Sequence, residues 1–163
     1  MEKSFLCRFA LLVLALGISG CSSHAAEMYI PGIDVDTDKV NTHFVVYEDP
    51  IVASTNSHKN NEILSITAKN LTDKTIVFSP GYIHIFAKSG SSWVPIENTM
   101  IYYPPDADQI LPPAKEYPPG LDDSIVPYFP EMKKPTRIRV YLVGQIEDTG
   151  EKVGAYMDLT LQP

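Results

Sequence analysis

Beyond about residue 42 the apolar side chains return at every second position, the period of a strand with one buried face. Leu64, Ile66 and Ala68 alternate with Ser65, Thr67 and Lys69. Ile83, Ile85 and Ala87 alternate with Tyr82, His84, Phe86 and Lys88. Ile138, Val140 and Leu142 alternate with Arg137, Arg139 and Tyr141, and Val153, Ala155, Met157, Leu159 and Leu161 with more polar neighbours. These runs predict strands over residues 62–70, 82–88, 137–146 and 153–161, the last two paired antiparallel. Shorter strands are predicted at 43–47, 75–79, 93–97, 100–103 and 124–128. No stretch keeps an amphipathic helical pattern for three turns.

Turn residues punctuate the strands: Asn70-Leu71-Thr72-Asp73-Lys74, Ser89-Gly90-Ser91-Ser92 and Glu147-Asp148-Thr149-Gly150-Glu151-Lys152. Short strands at such spacing predict an all-β, antiparallel sandwich of about seven to nine strands. Asn70-Leu71-Thr72-Asp73-Lys74-Thr75-Ile76 resembles the turn between the second and third strands of many bacterial immunoglobulin-like domains. Arg137-Ile138-Arg139-Val140-Tyr141-Leu142-Val143-Gly144 is similar to their penultimate strand. The resemblance covers residues 42–163 and implies an immunoglobulin-like β-sandwich. It carries no function, because one fold hosts many.

The N-terminus is of another kind. Lys3 and Arg8 precede the apolar run Phe9-Ala10-Leu11-Leu12-Val13-Leu14-Ala15-Leu16, which ends in Gly17-Ile18-Ser19-Gly20-Cys21-Ser22-Ser23. A positive start, a brief apolar stretch and small residues mark a secretory signal, and the run is too short for a spanning helix. Ile18-Ser19-Gly20-Cys21 resembles the lipobox of bacterial lipoproteins. That resemblance implies removal of residues 1–20, a diacylglyceryl group on Cys21 and export to the membrane. With Ser22 next in line, it implies the outer membrane facing the periplasm if the cell is Gram-negative. Residues 21–41 are then the lipidated cysteine and a tether about 25 Å in span if flexible. Met28-Tyr29-Ile30 and Ile33 are candidates for a first edge strand within it.

Processing changes the composition in two ways. It removes one of 20 acids and two of 13 bases, taking the net charge from −7 to −8. An acidic chain without a basic cluster is a poor partner for nucleic acid or anionic headgroups, so membrane attachment is expected through the lipid. Both cysteines, Cys7 and Cys21, are also spent. The domain has no disulfide or thiolate metal site to lean on, and its roughly 120 residues must form one apolar core.

Candidate chemistry is sparse. Asp34-Val35-Asp36-Thr37-Asp38 opens like a calcium loop, but Lys39 and Val45 stand where that motif needs glycine and glutamate, so it reads as acidic tether. His24, His43, His58 and His84 are too scattered for a metal site. No nucleophile elbow occurs, and the neighbouring acids Glu48-Asp49 and Asp122-Asp123 would point to opposite faces of a strand. The expectation is a chain that is not an enzyme and takes no cofactor.

Nine of the 14 prolines lie between Pro104 and Pro135. Proline removes a ladder donor, so residues 104–122 are expected to form a long, stiff connection across one end of the sandwich. Tyr102, Tyr103, Tyr117, Tyr128 and Phe129 lie within the proline-rich segment or at its edges, and aromatics on a stiffened loop give contact area at low entropic cost. They are the first candidates for binding an envelope protein; the stripe Tyr82, His84 and Phe86 is the second. The same composition also suits a connection that only packs onto the sandwich. An inhibitor or immunity-type lipoprotein, blocking an exported enzyme, is the alternative reading.

Overall fold

A computed structural model describes residues 30, 32–49, 57–100, 107–115 and 120–163. Cys21, Tyr102, Tyr103 and Tyr117 lie outside the described residues, as do residues 101–103 of the short strand expected there. The chain divides into two compact units, residues 1–33 and 34–163. In the first, the Ile33 N–H donates to the Ile30 carbonyl, and neither residue is in a strand.

The second unit is all β. Among its described residues there are twelve strands and one 3₁₀ turn, Thr37–Lys39. β1 (Phe44–Glu48), β3 (Leu64–Asn70) and β9 (Leu121–Ile125) form one antiparallel sheet in the order β1-β3-β9. The larger sheet is built on the hairpin of β11 (Thr136–Ile146) and β12 (Lys152–Gln162), in register from Thr136↔Leu161 to Gln145↔Lys152. Beyond β11 lie β4 (Ile76–Phe78) at one end and β5 (Ile83–Ser89) at the other, and β5 turns into β6 (Ser92–Pro95). β2 (Ser57–Lys59) runs parallel to β12 on its other side, and β8 (Gln109–Leu111) edges β4. β7 (Glu97–Asn98) and β10 (Pro127–Tyr128) make a small separate pair. Two early strands with a later one face a sheet centred on the last hairpin, an all-β, sandwich-like arrangement.

The core lies between the sheets. Phe44, Leu64, Ile66 and Ile125 meet Ile85, Ile138, Val140, Leu142, Val153 and Leu161, all buried. Each such side chain contributes about 1.5–3 kcal/mol on leaving water. Phe78 contacts the Phe44 ring edge-on at 5.3 Å and Tyr82 at 4.9 Å. Gly144 makes room for this: a Cβ there would stand 2.8 Å from the Phe78 ring and 2.7 Å from Ile76 Cγ2.

Several expectations need amendment. Residues 104–122 are not one strandless connection. The stretch Ala107–Leu111 has no proline, and Gln109–Leu111 pairs with β4 as an edge strand, ending where Pro112 has no N–H to give. The strand expected at 124–128 is two, broken at Val126, whose N–H goes instead to the Asn98 side chain at 2.9 Å. The 93–97 strand also divides, at Ile96, whose N–H bonds Ile85. β2 escapes pattern reading because Ser-His-Lys has no apolar alternation.

Residues 34–41, expected as tether, are joined to the sheet. Val40 makes a parallel bridge with Gly154, the Asn41 N–H donates to the Gly154 carbonyl at 2.8 Å, and the Tyr156 N–H to Asn41 Oδ1 at 2.9 Å. Ion pairs Lys39–Glu151 (2.6 Å) and Lys152–Asp34 (2.8 Å) run beside them.

Candidate functional site

The proline-rich connection is fastened at several points. At its start Asn98 Oδ1 accepts the Met100 N–H at 3.2 Å, while Thr99 bonds Asn61 through its hydroxyl and Val126 through its N–H. Midway stands β8. There Asn70, fully buried at the end of β3, donates through Nδ2 to the carbonyls of Pro112 (2.9 Å) and Lys74 (2.7 Å) and, at 3.4 Å, Leu111. Its Oδ1 accepts the N–H and hydroxyl of Thr72, both at 2.9 Å. The Ala114 N–H bonds the Thr72 carbonyl, and at the far end Gly120 sits so close to β3 that a Cβ would be 2.9 Å from the Ala68 carbonyl. Tyr102 and Tyr103 fall in one interval between fastenings, residues 101–106, and Tyr117 in the other, residues 116–119.

Tyr128 and Phe129 are described, and both are half-buried. Asn60 grips Phe129 by its backbone, giving Nδ2–H to its carbonyl at 3.0 Å and taking its N–H at 2.9 Å. The Phe129 ring packs against the core. These two aromatics are part of the sandwich end rather than of a projecting loop.

Tyr82, His84 and Phe86 do not make one stripe. β5 begins at Ile83, so Tyr82 is outside the alternation and turns into the core. Its hydroxyl donates to Asp123 Oδ2 at 2.5 Å. Burial first, then that bond and the carboxylate's charge, push the phenol well above its ordinary pKa. Phe86 is buried on the opposite face. His84 is half-buried, and burial lowers its pKa. It lines an open groove of about 170 Å³ with Val77, Val143 and Lys152.

Several acidic residues are engaged in local structure. Asp36 caps the 3₁₀ turn, accepting the Asp38 N–H at 3.2 Å, so the calcium-like segment serves local structure. Asp122 and Asp123 sit on opposite faces of β9, as alternation requires: Asp122 accepts from Thr67 Oγ1 at 2.7 Å, and Asp123 holds Tyr82. With Asp49 they border a shallow groove. His58 Nε2 approaches Glu48 Oε1 to 2.8 Å without hydrogen-bond geometry. Among the described residues no group of three or more His, Cys, Asp or Glu is placed to hold a metal.

Sequence reading missed the outer face of the larger sheet. Cross-strand rows bring Tyr156, Tyr141 and His84 together, and beside them Asp158, Arg139, Phe86 and Pro95. Arg139 is only 1% exposed, on the face turned away from the core. Its guanidinium lies 3.7 Å from the Tyr156 ring centroid and 4.4 Å from that of Trp93. It grips Asp158 with Nε at 2.7 Å and Nη2 at 2.9 Å, and Arg137 Nη2 bonds the same carboxylate. Lys88 Nζ and Arg137 Cζ stand 4.7 and 5.5 Å from the Trp93 ring. Burial pushes the Tyr141 phenol up to about 12, against the pull of the Arg139 charge. Gly154 leaves room for that ring, since a Cβ would stand 2.6 Å from the Tyr141 hydroxyl. The signal available in the sequence was the lone tryptophan and the two arginines Arg137 and Arg139 either side of the apolar Ile138.

The chain matches no protein-family model and no curated protein.

Proposed function

We propose that this chain is an exported envelope lipoprotein, held at the membrane by lipid on Cys21, whose sandwich domain works as a non-catalytic protein-interaction module. The observation that supports the second half is the fastening of the proline-rich connection. A rigid sandwich holds it through Asn98, Asn70, β8 and Gly120, and the intervals between carry Tyr102, Tyr103 and Tyr117. Spaced fastenings limit the entropy lost when such intervals meet a partner. The lipobox-like Ile18-Ser19-Gly20-Cys21 supports the first half.

Fractionation and crosslinking test the two halves separately. Wild-type protein is expected with membranes and labelled by a lipid precursor, and Cys21→Ser is expected to lose the label. Efficient labelling of Cys21→Ser would end the anchoring reading. Crosslinking in intact cells is expected to capture one constant envelope protein. Capture instead of an exported enzyme whose activity falls on binding would replace the module by an inhibitor.

A further inference from the structure

We infer that the outer face of the smaller sheet binds a neutral saccharide, in the groove that crosses β3 and β9 beside Tyr47. This site is separate from the proline-rich connection and needs no protein partner.

Strand register builds the site. Tyr47, Thr67 and Asp122 are cross-strand partners in one row. The next row along the same face is Asp49, Ser65 and Ser124: the Asp49 N–H bonds the Ser65 carbonyl at 3.1 Å, and Ser65 pairs with Ser124. Leu64, Ile66 and Ala68 alternate with these β3 residues and point into the core, so both rows face outward. Rows about 7 Å apart, on strands about 4.8 Å apart, make a patch of the size of a short saccharide. All of these residues but Tyr47 border a groove of about 180 Å³.

The groove offers hydroxyls more than charge. Ser65 and Ser124 are half-buried, and among the described residues their hydroxyls carry no hydrogen bond. Of the carboxylates at the groove, Asp123 is committed to the Ser124 N–H and the Tyr82 hydroxyl, and Asp49 has a partner of its own. Asp122 is exposed and accepts the Thr67 hydroxyl on Oδ1 at 2.7 Å. A hydroxyl both donates and accepts, whereas a carboxylate only accepts. The matching ligand therefore carries several groups that do both, one of which donates to the second oxygen of Asp122. Neighbouring hydroxyls on a sugar ring meet these demands, replacing water at Ser65 and Ser124.

Tyr47 is an independent sign. It is 38% exposed although it lies within β1, and it stands in register with Thr67 at the side of the groove. Its ring offers an apolar surface to the C–H face of a sugar, while the hydroxyls of that sugar reach the polar rows. Other ligand classes fit less well. The carboxylates oppose an anion, and Lys69, exposed on the same face about 7 Å beyond Thr67, opposes a polyamine. Among the described residues no group of three or more His, Cys, Asp or Glu is placed to hold a metal here.

Full-length protein in a sugar-free polyoxyethylene detergent is titrated with tri-N-acetylglucosamine, cellotriose, trigalacturonate and spermine, and its backbone amides are followed by NMR. The expected result is a saturable shift of Ser65, Thr67, Asp122 and Ser124 with at least one of the neutral trisaccharides, and none with trigalacturonate. A response to tri-N-acetylglucosamine alone identifies an N-acetylated glycan as the source, and a response to cellotriose an unsubstituted polysaccharide. Tyr47→Ala and the double variant Ser65→Ala/Ser124→Ala are each expected to weaken binding about tenfold or more, with melting temperature unchanged. No saturable shift with either neutral trisaccharide overturns the site, as do shifts centred elsewhere, undiminished binding in either variant, or spermine bound as tightly. No partner protein is present in the titration, so its failure leaves the interaction-module reading untouched.

Discussion

Arg139 and Asp158 face each other across the β11–β12 pair, and two hydrogen bonds, of 2.7 and 2.9 Å, join the most deeply buried cation of the domain to its carboxylate. Burial by itself would raise the Asp158 pKa. The hydrogen bonds from Arg139 and Arg137, with their charges, outweigh it and hold the carboxyl below its usual range.

That depressed pKa sets a pH dependence. A carboxyl that is more acidic folded than unfolded stabilises above its unfolded pKa, about 3.9, and the contribution disappears as pH falls through the folded value. Asp158→Ala is expected to cost about 3 kcal/mol near neutrality, the low end for breaking such a pair, because the Asp158 side chain keeps 20% exposure. Denaturant titrations of wild type and variant should show a constant gap from pH 7 to about 5 and a narrowing gap below about 4. A gap independent of pH down to 2 would contradict the assignment.

Asn70 is expected to be worth more than its polarity implies. Its amide serves carbonyls of β8 and its turn, and Asn70→Ala would strand those acceptors without a donor. A loss of about 2–3 kcal/mol is expected, with faster amide exchange concentrated in Gln109–Leu111 and around Thr72. Uniform acceleration over the whole domain would show that the residue only adds to global stability.

In β12, Leu159 points into the core and Thr160 away from it. Leu159→Ala is expected to lower stability by about 2–5 kcal/mol and Thr160→Ala by little. Equal losses in urea unfolding would mean that the face is misassigned.

For the connection, Tyr103→Ala and Tyr117→Ala are expected to leave the melting temperature nearly unchanged while weakening capture of the envelope partner, by about 2 kcal/mol each at a hot spot. Thermal unfolding beside pull-down of the same variants decides. Large stability losses in both would retire the two tyrosines as recognition residues.

The long alternating runs made the central strands legible: β3, β11 and β12 appear where Leu64, Ile138 and Val153 begin their series, and their buried face is the apolar one. What escaped was set by partners distant in sequence. β2 and β8 are held by neighbours, not by their own pattern, and Val126 left its strand for the Asn98 side chain. The Trp93–Arg139–Tyr156 stack needs the register of four strands before its members meet. Alternation does show that Arg139 faces away from the core, but not that this face is also buried. Tyr82 was misplaced for a simpler reason: one residue before a strand, alternation no longer binds the side chain.

The short parallel contact at Val40 and Asn41 has a mechanical meaning. A pull on the chain from the side of Asp34 does not reach β1 first. It meets the Val40 bridge, the two bonds of Asn41 and the Lys39 and Lys152 ion pairs, all of which end on β12 or the turn before it. Because the segment runs parallel to β12, force along the strand axis loads these contacts together, in shear, and passes into the hairpin on which the larger sheet is built. Tension is thus passed to β12 before it reaches β1.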